Sequence, residues 1–143
     1  MPRPHTPEPA TSLARLLPHA APADAKTRAL LIAARRMAIH GLQDASGALI
    51  VMEQFGLHFR KVLVLLRAFM LEAAQVARAP IQIAPCCALR MTAQEHALIM
   101  AITCAGQDPM LASDHLHRLT GAAHGEGLLA TARVLAGAIA EAG

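Results

Sequence analysis

The chain has 143 residues and a formal net charge of +3; 55% of its residues are hydrophobic, 16% are charged, and it contains three Phe but no Tyr or Trp. This length and apolar content exclude a chain that is disordered throughout and favour one domain with one core. The longest stretches without Asp, Glu, Lys or Arg are residues 79–89 and 96–107. A membrane-spanning helix needs roughly 17–25 largely uncharged residues, so no transmembrane segment is predicted.

The N-terminal region predicts a Pro-rich flexible tail over residues 1–10, followed by a single helical domain over residues 11–143. Four prolines in the first ten residues disfavour a helix there. Residues 13–23 have the small-residue ending of a secretory signal, but Arg15 and Pro18 interrupt the apolar segment. Because there is no signal peptide on this interpretation, and three cysteines do not make a disulfide framework, a cytoplasmic location is predicted.

The N-terminal half predicts helices whose ends are marked by proline, glycine and capping aspartates. Asp24 and Asp44 are the expected N-caps, because a short carboxylate side chain accepts hydrogen bonds from the free amides of a first turn. Gly41 is the expected C-terminal glycine of the first of these helices. In chain order, the predicted helices span residues 11–17, 24–41, 44–55 and 57–78.

The C-terminal half predicts a short extended segment followed by three further helices. Residues 81–83 alternate between two prolines, and they are too few to imply a sheet. Thr92 and Glu95 have the spacing of a capping box, and Asp108 stands before a proline at a first helical position. The helices span residues 92–106, 109–121 and 125–141. Short connections favour antiparallel neighbours, so the predicted fold is all-α, a compact bundle of about six helices with helix 57–78 at its centre.

Two helices carry aliphatic side chains on their basic faces. On helix 57–78, Val64 and Leu71 are seven residues apart and lie among arginines, opposite the apolar half of the helix. Helix 24–41 repeats the pattern. Interfaces are enriched in Arg and depleted in Lys, and the chain has 11 Arg against 2 Lys. The stripes predict contact with a protein partner or a second copy, unless neighbouring helices cover them. The predicted interface consists of Ile32, Arg35, Arg36, Ile39, Arg60, Val64, Arg67 and Leu71.

Charge is distributed unevenly along the chain. Residues 1–80 carry 10 basic and 5 acidic side chains, whereas residues 81–143 carry 3 basic and 5 acidic ones. A basic half can attract an anionic partner. The composition argues against nucleic acid, however, because lysines are few, stacking Tyr and Trp are absent, and Asp108 and Asp114 lie on the helix that would enter a groove.

The cysteines suggest an alternative function. Cys86 and Cys87 are adjacent, unlike the Cys-x-x-Cys spacing with which two thiolates bind one metal, and they precede the capped helix at residue 92. On that helix, His96 and Cys104 share a face. A loop that folds back would give zinc or iron a site made of Cys86, Cys87, His96 and Cys104. A redox-active thiol near a helix N-terminus, or cysteines that merely fill the core, are the other interpretations.

The remaining polar residues predict no active site. The sequence has no Gly-rich phosphate loop, no nucleophile elbow and no His-Glu-x-x-His pair, and its acidic residues are spread singly. No catalytic or cofactor-binding residue is predicted. His115 and His117 are two residues apart, so they diverge by about 200° on a helix and predict a solvated face.

One short stretch carries a resemblance to a known family. Residues 84–87 (Ala-Pro-Cys-Cys), followed by Arg90-Met91-Thr92 and Glu95, resemble an uncharacterised family of small bacterial helical proteins. The resemblance covers the chain from about residue 30 and implies an all-helical domain in a bacterial cytoplasm, with no reaction or ligand attached. The predicted function is a non-enzymatic interaction or regulatory module that self-associates or binds a protein partner. The alternative is a metal-binding or redox-active protein that uses Cys86 and Cys87.

Overall fold

The structure, a computed structural model, describes residues 16–123 and 126–143. Its helices are α1 (Ala25–His40), α2 (Ala45–Phe55), α3 (Phe59–Val76), α4 (Ala93–Cys104), α5 (Pro109–Thr120) and α6 (Glu126–Glu141). A 3-10 turn, Gly56–His58, precedes α3, and strand β1 (His19–Ala20) pairs with strand β2 (Arg90–Met91). The predicted all-α class is confirmed. The predicted tail at residues 1–10 and residues 11–15 of the predicted helix at 11–17 lie outside the described residues.

The predicted capping residues begin the helices. The Asp24 carboxylate accepts a hydrogen bond from the Thr27 amide at 2.9 Å, which caps α1. At α4 the capping box is complete, because Thr92 Oγ1 accepts from the Glu95 amide and Glu95 Oε1 accepts from the Thr92 amide. After α5, Gly121 takes the left-handed conformation with φ 68°, which glycine adopts without strain.

The central helix is shorter than predicted. The sequence predicts a helix over residues 57–78, but α3 begins at Phe59 because residues 56–58 form a tighter 3-10 turn without a capping side chain. At its other end, Ala77 is extended and the Arg78 amide donates to the Thr120 carbonyl at 2.9 Å instead of continuing the helical ladder. Tertiary contact with the end of α5 therefore replaces the last predicted turn.

The core lies where the helices meet. α3 contacts α1, α2, α5 and α6, while α4 and α5 form a closely packed hairpin. The core is aliphatic and rich in alanine, with one fully buried aromatic ring in its centre. Its largest apolar members, each no more than 2% exposed, are Leu30, Leu31, Val51, Leu66, Phe69, Leu98, Ile102, Leu116, Leu119 and Leu135. Among the described helices, none is both long and apolar enough to cross a membrane.

The short strand pair ties the start of the described chain to the segment before α4. His19 pairs with Met91 and Ala20 with Arg90 in antiparallel register. The Arg90 guanidinium adds hydrogen bonds to the Leu17 carbonyl at 2.8 Å and the Pro18 carbonyl at 2.9 Å. The sequence does not predict this pairing, because two residues are too few for an alternating pattern and the partners are about 70 positions apart.

Candidate interaction surface

The outer face of α3 carries a row of exposed aliphatic side chains. Val64 is 61% exposed and Leu71 is 47% exposed, and Leu57, in the turn before α3, is fully exposed. Seven residues make about two helical turns, or about 10 Å along the axis, so Val64 and Leu71 follow one line on α3 and Leu57 precedes them at the same sequence spacing. We call Leu57, Val64 and Leu71 the α3 row. Leu57 is absent from the predicted interface, although the same spacing of seven would have identified it.

Two arginines flank the α3 row. Arg60 is exposed, and its guanidinium carbon lies 5.8 Å from the centroid of the Phe59 ring. Arg67 is half-buried, and its Nε donates a hydrogen bond to the Leu42 carbonyl at 2.8 Å. Arg67 therefore joins α3 to the connection between α1 and α2, while Arg60 remains at the surface beside the row.

Most of the predicted interface residues on α1 make contacts within the protein and do not lie free at its surface. Ile39 is 55% exposed, but Ile32 is half-buried. Arg36 Nε pairs with Asp44 Oδ2 at 3.1 Å, and the same carboxylate oxygen caps α2 through the Gly47 amide at 2.8 Å. These contacts, with the Arg36 side chain as the larger contributor, hold the pKa of Asp44 below its usual range. Arg36 thus fixes the corner between α1 and α2.

Arg35 is the clearest departure from the predicted interface. Its side chain is 1% exposed, and Nε donates to Glu95 Oε2 at 2.6 Å, with the Glu95 side chain also 1% exposed. The guanidinium also donates to Glu95 Oε1 at 3.2 Å, to the Ala88 carbonyl at 2.8 Å and to the Arg90 carbonyl at 2.9 Å. A longer contact of 3.4 Å reaches the Cys86 carbonyl. The prediction that Arg35 lies at the surface is wrong, because Glu95 and the loop before α4 enclose it.

The cysteines and the histidine of the predicted metal set lie in different surroundings. Cys86 and Cys87 are exposed in a turn, and both line a cleft of about 340 Å³ that also includes Arg28. Cys104 is half-buried against the core at the end of α4. Within residues 16–123 and 126–143, no three His, Cys, Asp or Glu side chains are grouped so that they could hold a metal ion.

Three histidines form a cluster that the sequence does not predict. The His19 and His96 rings stack at 3.8 Å between centroids, and the His115 ring meets His96 edge-on at 6.0 Å. His115 is only 6% exposed, so the predicted solvated face at this position is wrong, and its Nδ1 has no hydrogen-bond partner among the described residues. Burial lowers the pKa of both His96 and His115, and neighbouring positive groups, among them Arg118, lower it further.

The fold and its exposed row define a small all-α protein with an uncovered apolar face. The model of a family of unknown function (DUF6628) matches residues 8–141, and the chain belongs to that family. The match confirms the resemblance to an uncharacterised family and extends it towards the N-terminus. No curated protein and no solved structure matches the chain.

Proposed function

We propose that this protein is a non-enzymatic interaction module of the cytoplasm that self-associates through the α3 row. The observation that carries the proposal is the line of three exposed aliphatic side chains with a spacing of seven residues. Scattered apolar side chains are normal on a small protein, but a spacing of seven places one apolar side chain every two turns on the same face of the helix, where a second helix can contact them. The three free cysteines support the cytoplasmic location.

The α3 row is symmetric about Val64, which supports contact with a second copy. In an antiparallel pair of α3 helices related by a two-fold axis, Val64 meets Val64 of the other copy and Leu57 meets Leu71. Two basic groups near the row are engaged elsewhere, because Lys61 pairs with Glu141 at 3.0 Å and Arg67 binds the Leu42 carbonyl, whereas Arg60 stays at the edge of the seam. These contacts direct the charges of Lys61 and Arg67 away from the seam.

Sedimentation velocity of a double variant tests this function. We expect wild-type protein to form a dimer, and Val64→Glu with Leu71→Glu to give a folded monomer, because charged side chains at both positions cannot be buried in a seam. The matched control is Met110→Glu with Val134→Glu, two apolar positions that are 82% and 52% exposed outside the row. A monomeric wild type, or a double variant that sediments like wild type, would refute the proposal.

A second function, a zinc or iron site or a redox-active thiol at Cys86 and Cys87, is supported by the exposure of both thiols. Cys86 interacts with the Arg36 guanidinium, whose pKa is raised chiefly by Asp44 and to a smaller extent by this thiol. Because His96 stacks on His19 and Cys104 packs on the core, this candidate rests on the adjacent pair alone.

Mass spectrometry under native conditions, with and without a chelator, tests the metal version of this second function. Thiol labelling at neutral pH tests the redox version, with Cys86→Ser and Cys87→Ser compared with Cys104→Ser. The candidate requires either a metal that the chelator removes or labelling of the adjacent pair much faster than labelling of Cys104. Metal-free protein whose three thiols react at similar rates would exclude it.

A further inference from the structure

An apolar cleft of about 560 Å³ lies at the surface between α1 and α3. The C-terminal end of α1, the second half of α3 and the extended segment 79–83 enclose it. Its apolar lining includes Met37, Met70, Leu71, Ile81 and Ile83. Small-molecule sites are typically concave, mostly apolar and about 300–1,000 Å³ in volume, so the cleft has the size and surface of such a site.

Among the described residues that line this cleft, Arg78 is the single charged one. Its backbone amide donates to the Thr120 carbonyl at 2.9 Å, which fixes the position of the residue after the end of α3. The Arg78 guanidinium has no ion pair or hydrogen bond with any group in residues 16–123 and 126–143. The Arg78 guanidinium can therefore donate hydrogen bonds to an anion that binds in the apolar cleft.

We propose that this cleft binds a fatty acid, with the hydrocarbon chain against the apolar lining and the carboxylate on Arg78. One cation matches one negative charge, whereas a phosphate monoester carries about −1.5 to −2 near neutral pH and would leave charge uncompensated. The unbranched side chains of Met37 and Met70 adapt to a flexible chain. A free fatty acid is therefore favoured over a lipid phosphate monoester.

This inference goes beyond self-association, although Leu71 belongs to both the α3 row and the cleft. The two sites are separated by testing positions outside the row. Ala74 and Arg78 both line the cleft and are exposed, so substitutions there leave the core intact. Ala130 and Arg133 are also exposed, on α6, where they line a separate cleft of about 640 Å³, and they provide matched controls.

Titration with decanoate and with 1-decanol, both below the concentration at which they aggregate, tests the proposal by calorimetry. We expect wild-type protein to bind decanoate roughly tenfold more tightly than 1-decanol, because a charge-assisted hydrogen bond is worth about this factor at a partly exposed site. Arg78→Gln should abolish that preference, and Arg133→Gln should preserve it. Ala74→Trp should prevent binding of both ligands by filling the cleft, whereas Ala130→Trp should bind them like wild type.

Three results would each overturn the fatty-acid site. They are no binding of decanoate to wild-type protein, equal affinity for decanoate and 1-decanol, and unchanged binding in Ala74→Trp. Circular dichroism of each variant confirms that it is folded before titration. Because Val64→Glu changes the row without touching the cleft, decanoate binding by that variant shows whether the cleft works independently of the oligomeric state.

Discussion

Replacing Glu95 by alanine removes one partner of the buried ion pair with Arg35. The substitution takes away two acceptors of the guanidinium, at 2.6 and 3.2 Å, and the acceptor of the Thr92 amide at 2.9 Å. Arg35 then remains as a charge with 1% exposure whose surviving partners are backbone carbonyls. Breaking a buried pair in this way costs about 3–5 kcal/mol. The stability of a domain is about 5–15 kcal/mol, so we expect a large part of it to be lost.

Urea unfolding followed by circular dichroism at 222 nm measures this loss, since the chain has no Trp or Tyr for fluorescence. The control is Glu141→Ala, which breaks the exposed pair with Lys61 and should cost no more than about 1 kcal/mol. Arg35→Met combined with Glu95→Met should be less destabilised than Glu95→Ala alone, because no uncompensated charge stays inside. A loss for Glu95→Ala as small as that for Glu141→Ala would refute the reasoning.

Two further predictions concern the histidine cluster and the core. Because burial holds the pKa of His115 below the ordinary value of 6.5, the unfolded chain takes up more protons below that pH, and stability should fall as the pH drops through about 6.5. His115→Leu should reduce this fall in the urea midpoint, and His58→Gln, at an exposed position, should leave it unchanged. If His115→Leu showed the same fall as wild type, burial of His115 would not be its cause. Leu66→Ala should cost about 2–5 kcal/mol in urea unfolding, since Leu66 is 0% exposed. An equal cost for Leu89→Ala, at a position that is 86% exposed and lies outside the α3 row, would contradict the described core.

The ends of the helices could be predicted because their causes are local. Asp24 lies three residues from the amide that it caps, and the capping box needs only Thr92 and Glu95. The shortened end of α3 could not be predicted in this way. It depends on a hydrogen bond from Arg78 to Thr120, a residue 42 positions further along the chain.

The candidate site was predicted only in part, for a related reason. The helical wheel places Val64 and Leu71 opposite the core, and both are exposed. The same wheel places Arg35 among surface arginines, because it contains no information about Glu95, 60 residues away. The histidine cluster joins three separate elements, so no spacing within one helix could reveal it.

The pair of Arg35 and Glu95 also has a consequence for folding during synthesis, because Arg35 is made before its buried partner. At about 5–20 residues per second, a ribosome takes roughly 3–12 seconds to add the 60 residues between them. During that interval the end of α1, α2 and α3 are synthesised, but burying Arg35 would leave its charge without a carboxylate. The first half of the protein therefore cannot close its core alone, and a chain truncated before residue 95 should remain a substrate for chaperones and proteases.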